Sequence, residues 1–150
     1  MSEQTNTVRA AHMRLMSRCP HEALARYWRD CGLAVEATDL RRPETGLVTV
    51  RGRVGGDGQA FNLGEATVTR ASVKLSSGEI GHAYILGRET EKARLCATID
   101  AALQNPGLGA IIVERVLQPI GAQLDEADRK MRAQVAATRV DFFTMTRGED

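Results

Sequence analysis

Residues 47–86 read LVTVRGRVGGDGQAFNLGEATVTRASVKLSSGEIGHAYIL, and this stretch decides the fold. Leu47 to Val54 alternates apolar and polar side chains with period two, the pattern of a strand with one solvated face. Gly55-Gly56-Asp57-Gly58 follows as a turn, and Phe61 and Leu63 begin the return strand. Gly64-Glu65 interrupts that strand as a bulge or kink, and Ala66 to Leu75 carries it on. Ser76-Ser77-Gly78 makes a second turn, and Ile80 to Leu86 a further strand. Upstream, residues 33–40 (LAVEATDL) also read as a strand, and Arg42-Pro43-Glu44-Thr45-Gly46 breaks it from Leu47. Four strands joined by short turns predict an antiparallel meander, one face of which needs a cover.

The flanking segments supply helices for that cover. Residues 1–6 are polar and expected to be disordered. Val8, Met13, Leu15 and Met16 form a short helical stripe ending near Cys19. Pro20 suits the first turn of a second helix that stops at Gly32 and buries Leu24, Tyr27 and Trp28. Glu89 to Gln104 is the clearest helix: Ala93, Leu95, Cys96, Ile99, Ala102 and Leu103 fall near one stripe, with Glu91, Lys92 and Arg94 mostly outside it. Residues 108–118 fit a helix or a six-residue strand, and Pro119 predicts a break. Asp125 to Thr138 reads as a charged helix with Leu124, Met131, Val135 and Thr138 on one side. The predicted class is α+β. An antiparallel sheet of about four to five strands is covered by N-terminal, central and C-terminal helices. Residues 1–150 form a single domain, in which 139–150 can act as a partner-docking tail.

Composition narrows the function classes. A chain of 150 residues is long enough to bury a core without a metal or disulfide staple. The net charge of +1 argues against nucleic-acid and membrane-surface binding, which need a large basic excess. Cys19, Cys31 and Cys96 leave one thiol over from any pairing, with no zinc-ligand spacing, so neither a disulfide framework nor a metal site is expected. No signal peptide or membrane span is legible, and a cytoplasmic protein with free thiols is expected. Arg outnumbers Lys 17 to 3. Genomic base composition accounts for such a bias, and so does recognition of phosphate or carboxylate by bidentate guanidinium groups.

Catalytic chemistry is thin. His12, His21 and His82 are scattered, and Cys96 lies among apolar helix residues. Gly55, Gly56 and Gly58 either make a hairpin turn with positive φ or offer free N–H groups to an anion. Arg70 in its strand and Arg88 just ahead of the long helix are candidates for anion binding, or else surface arginines in weak ion pairs. In the closing run, Arg139, Asp141, Phe142, Phe143, Met145 and Arg147 either dock on the protein's own sheet or anchor a partner, since aromatic, Met and Arg side chains favour interface centres.

Several of these pieces together resemble a known family. Glu44-Thr45-Gly46-Leu47-Val48, Gly55-Gly56-Asp57-Gly58 with Phe61, and Gly64 through Val73 come first. Gly87-Arg88 ahead of Cys96 and Asp100 follows, then Thr138 through Met145 and Arg147-Gly148. In that order they resemble the G subunit of the carbon–phosphorus lyase core complex (PhnG), with the GEATVTRA and RVDFFTM stretches the most specific. His12-Met13 departs from a Trp-Met pair, and residues 105–122 match loosely, so contacts of those segments are not carried over. The resemblance implies a subunit working with the H, I and J subunits, and functionally with the L protein. ATP and an alkylphosphonate would be converted, with loss of adenine, to α-D-ribose 1-alkylphosphonate 5-triphosphate. It also implies that the I subunit carries the nucleosidase-like chemistry, and that the J subunit later cleaves the C–P bond with an iron–sulfur cluster and S-adenosylmethionine. ATP would be a substrate of the complex, with no cofactor held by this chain alone. Two roles stay open: a subunit that contributes to the transferase site, and an assembly subunit with no contact to it.

Overall fold

A computed structural model describes residues 2–55 and 57–138, with side chains from residue 6. Helices α1 (Ser2–Arg18) and α2 (His21–Asp30) precede strands β1 (Ala37–Arg53), β2 (Ala60–Leu75) and β3 (Ile80–Leu86). Helix α3 (Thr90–Leu103) follows. A last helical path runs through α4 (Gly109–Ile112), a π turn (Val113–Leu117) and α5 (Gln118–Ala137). The strands form one antiparallel sheet in the order β1-β2-β3. The α+β class and the meander therefore stand, and α1 begins at Ser2, inside the segment expected to be disordered.

Among the described residues the sheet has three strands, and the expected four to five are not found there. The two strands read on either side of Arg42–Gly46 are one, because β1 passes through Pro43 without a break. Its register against β2 slips between Asp39 and Arg41 and again between Arg41 and Glu44. A proline costs a ladder hydrogen bond, so it is tolerated at a bulge of an edge strand, and β1 is an edge strand. A further slip lies between Val50 and Arg51 and leaves Leu63 unpaired, so the strand does bulge, one residue ahead of the Gly64-Glu65 pair where the sequence placed the interruption. Residues 108–118 are helical, which removes the possible fifth strand. Pro119 does not end that helix. The π turn immediately before it widens the backbone where the ring would strike the carbonyl four residues earlier and where an N–H is missing.

The cover is also simpler than the pattern implied. Alone among the described helices, α3 lies broadly across the strands, while α1, α2 and the C-terminal path pack mainly on its far side. That burial on two sides explains why α3 is interior from Lys92 to Ala102, apart from half-exposed Arg94 and Leu95. Small residues permit the approach. A Cβ at Gly81 would stand 1.9 Å from the Ala97 carbonyl oxygen and 2.5 Å from the Ala101 nitrogen, so α3 rests directly on the β3 backbone there. Ala71, Val73, Ala83 and Ile85 fill the same interface from the sheet, and Cys96, Ile99, Met16, Leu24, Ile112 and Ile120 continue the core.

The buried polar residues Thr69, Lys92, Thr98 and Asp100 are all hydrogen-bonded, while the Nδ1 of His21 is buried without a partner among the described residues. Asp100, 4% exposed, accepts Arg9 Nε at 3.1 Å, Arg9 Nη2 at 2.7 Å and the His82 backbone N–H at 2.9 Å. One carboxylate thus ties α1, α3 and β3 together. Lys92, which the helical stripe placed mostly outside, is buried instead. Its Nζ donates to the Ser17 carbonyl at 2.9 Å and so satisfies an orphan acceptor in the last turn of α1.

Candidate functional site: the uncovered face of the sheet

The outer face of the sheet has no layer over it among the described residues. Arg70, Lys74, Ile80, Tyr84 and Leu86 are exposed there, with Tyr84 at 52% and Leu86 at 70%. The β1–β2 hairpin extends past the helical layer, and Leu47, Val50, Val54, Phe61 and Leu63 along it are exposed as well. Far along α5, Met131 and Val135, read as lying on one side of their helix, are also exposed.

A cleft of about 170 Å³ opens on the outer face, lined by Glu44, Thr45, Gly46, Leu47, Val68, Arg70 and Tyr84. The register builds it, because Glu44 faces Arg70 across β1 and β2, and Arg70 faces Tyr84 across β2 and β3. Glu44 Oε1 accepts Arg70 Nε at 2.7 Å and Arg41 Nη1 at 2.6 Å. The Arg41 hydrogen bond first, and then Arg70, hold the Glu44 carboxyl below its ordinary range. Two cations thus share one carboxylate oxygen. The remaining guanidinium N–H groups of both arginines, and the Tyr84 hydroxyl, have no protein partner among the described residues.

Arg88 does not line that cleft. It stands exposed in the bend between β3 and α3, without an ion pair among the described residues. The bend is clamped: Gly87, at φ 91°, donates its N–H to the Thr67 carbonyl at 2.9 Å. The buried Thr69 hydroxyl donates to the Gly87 carbonyl at 2.6 Å and lies 3.1 Å from the Thr45 hydroxyl. Glu89 and Glu91 flank the start of α3, which weakens that helix end as an anion site.

The glycine turn lies elsewhere again. Gly55 has φ 64°, and the Gly58 N–H donates back to the Val54 carbonyl at 3.1 Å, which is what a hairpin turn requires. Gly56 lies outside the described residues. Ten β2 positions separate Ala60 from Arg70, about 30 Å of strand, so the turn and Arg70 do not meet on one small anion. The partner-docking candidates Arg139, Asp141, Phe142, Phe143, Met145 and Arg147 lie outside the described residues.

The remaining reactive side chains are dispersed or inert. His12 is on α1, His21 opens α2, and His82 on β3 bonds Ser72 Oγ at 2.8 Å. Burial pushes the Cys96 thiol up to about 12, too high for a thiolate nucleophile near neutral pH. No group of three or more His, Cys, Asp or Glu among the described residues could hold a metal ion. No helix there is long and apolar enough to cross a membrane.

Sequence reasoning singled out Arg70 but not Arg41, Glu44 or Tyr84 as its neighbours. The missing signal was the pairing of β1 with β2, because the bulges near Pro43 set which acid meets which arginine. A second cleft of about 390 Å³, between α2, α3 and the start of β1, was also missed. Trp28 and Arg94 line it, and Arg94 is held there by Asp39 at 2.8 Å.

Two comparisons bear on this arrangement. The sequence model of one family, described as phosphonate metabolism protein PhnG, matches residues 7–148. The alpha-D-ribose 1-methylphosphonate 5-triphosphate synthase subunit PhnG of Rhizobium meliloti (strain 1021) is 49% identical over 138 residues. That alignment covers 92% of this chain and 88% of the relative.

Proposed function

The chain belongs to the PhnG family, and from that membership we propose that it serves as a subunit of an alpha-D-ribose 1-methylphosphonate 5-triphosphate synthase in phosphonate metabolism. The observation that carries this reading is a likeness running through 92% of the chain at 49% identity. In this reading the chain works in the cytoplasm with the H, I and J subunits and, functionally, with the L protein. The assembly displaces adenine from ATP by an alkylphosphonate. ATP enters as a substrate, and the chain holds no cofactor of its own.

Its part in the chemistry is to cover and charge a site rather than to attack. Hydrolysis of the ribosyl bond competes with phosphonate transfer, so a subunit that excludes water raises transfer without supplying a nucleophile. The uncovered apolar face supports a life in an assembly, because large exposed apolar patches mark interaction sites. Arg70 is the proposed contact to substrate oxyanions, with Arg88 the second candidate. The closing run from Arg139 to Arg147 is the proposed partner anchor.

The test follows adenine release and ribosyl phosphonate formation by the H, I and L proteins with and without this chain. Formation at the same rate in its absence defeats the proposal. A purely structural subunit is the competing reading: there, Arg70→Ala and Arg88→Ala leave transfer intact. Loss of transfer in an assembly that still elutes whole from a sizing column favours a site contribution.

A further inference from the structure

We infer that Arg41, Arg70 and Tyr84 form a binding site for a phosphate- or phosphonate-type oxyanion, in which Glu44 is a tethered placeholder that the ligand displaces. The inference deepens the Arg70 contact proposed above and rests on that reading for the identity of the physiological ligand.

The donor count comes first. A guanidinium offers five N–H donors in a planar fork. Arg41 and Arg70 each spend one of theirs on the same Glu44 oxygen, at 2.6 and 2.7 Å. Two positive charges facing one negative charge leave the group around Glu44 with a surplus of one, Arg41 standing beside the cleft and joined to it through Glu44, and Lys74 lies four positions along β2 from Arg70, on the same outer face. The Tyr84 hydroxyl adds a neutral donor to the lining. Convergent, under-used donors around a small cleft fit a ligand with several oxygens better than one with two.

The placeholder decides the ligand's charge. Glu44 is held on the same strand pair and acts at a high local concentration, so an incoming single carboxylate gains nothing by replacing it. A doubly or more highly charged oxyanion gains a second Coulombic interaction with each arginine. Displacing Glu44 costs little, because the side chain is half exposed and water receives it. The site therefore discriminates by charge: phosphonates and polyphosphates enter, and acidic side chains of a partner do not.

The experiment uses the purified full chain and tripolyphosphate as the probe. Arginine Nε–H signals are followed by NMR at low and physiological salt, with acetate as the single-carboxylate control. The expected result is a saturable shift confined to Arg41 and Arg70. Arg70→Ala should abolish it, and Arg70→Lys should leave weaker binding. Glu44→Gln, which keeps the shape and removes the competing charge, should bind about tenfold more tightly. Circular dichroism checks that each variant stays folded. Equal shifts at all surface arginines, or unchanged or weaker binding in Glu44→Gln, would overturn the site. Acetate binding as tightly as tripolyphosphate would overturn it in favour of a partner carboxylate. Failure of the subunit reading is read separately, as assembly and transfer that do not depend on this chain.

Discussion

Facing inward from β2 and β3, Thr69, Ala71, Val73, Gly81, Ala83 and Ile85 are buried under α3. Facing outward from the same strands, Arg70, Lys74, Ile80, Tyr84 and Leu86 are exposed. One period-two alternation produces both faces. The inner face is made of small residues that admit a helix to backbone contact. The outer face mixes aromatic, aliphatic and Arg side chains, the composition enriched where protein interfaces bury their anchors. The contrast teaches that the inner face is where stability resides and the outer face is where function is to be sought, so substitutions on the two sides should separate cleanly.

The largest effect is expected at Gly81. A methyl group there meets backbone atoms that cannot rotate away. Gly81→Ala should destabilise by about 3 kcal/mol or more, read as a fall in the urea midpoint. A near-normal midpoint would mean that α3 slides easily over β3, and the inner face would lose its special standing. Next is Asp100→Asn, which weakens the grip on Arg9 and on the His82 N–H and should cost about 2–3 kcal/mol. Thr69→Val keeps the shape but removes the side-chain half of the clamp on Gly87, leaving the backbone bond to Thr67, at a cost of about 1 kcal/mol in the same unfolding measurement.

On the outer face the signs separate. Leu86→Ser should move stability by no more than about 0.5 kcal/mol, yet it should reduce recovery of partner subunits with the tagged, co-expressed chain. Undiminished recovery with unchanged stability would show that this part of the sheet is not an interface. The smallest effect concerns acid. Burial pushes the His12 imidazole below its ordinary value of 6.5, partly countered by Asp100. The folded state therefore binds protons less readily than the unfolded chain. The associated stability is complete above about pH 6.5 and is lost as pH falls through the folded value. His12→Gln should flatten that shallow slope in midpoint-against-pH plots, and a slope unchanged by the substitution would assign the acid sensitivity to other groups.

Much of this architecture is legible in the sequence. The alternation from Leu47 to Val54, the turn at Gly55–Gly58 and the stripe from Ala93 to Leu103 named the sheet and its central helix, because each signal is local. The errors arose where tertiary context overrode a local rule. Pro43 breaks a central strand, but on an edge it needs only a bulge. Pro119 ends a regular helix, but a π turn ahead of it absorbs the missing donor. Lys92 reads as surface until the end of α1 offers it a carbonyl. At the candidate site, Arg70 was legible as a cation in a strand. Its partners were not, because Glu44 is 26 positions away and the pairing depends on the accumulated register slips.

By itself, the sequence determined the class, the order of the elements, the family and the absence of charge excess, all set by composition, period and motif. Only the tertiary structure decided that α3 is sandwiched on both sides, that Gly81 is its contact point, and that Glu44, Arg70 and Tyr84 line one cleft with Arg41 bonded to its Glu44. These are juxtapositions between residues remote in the chain. They follow from strand register and layer packing, which no local window of sequence contains.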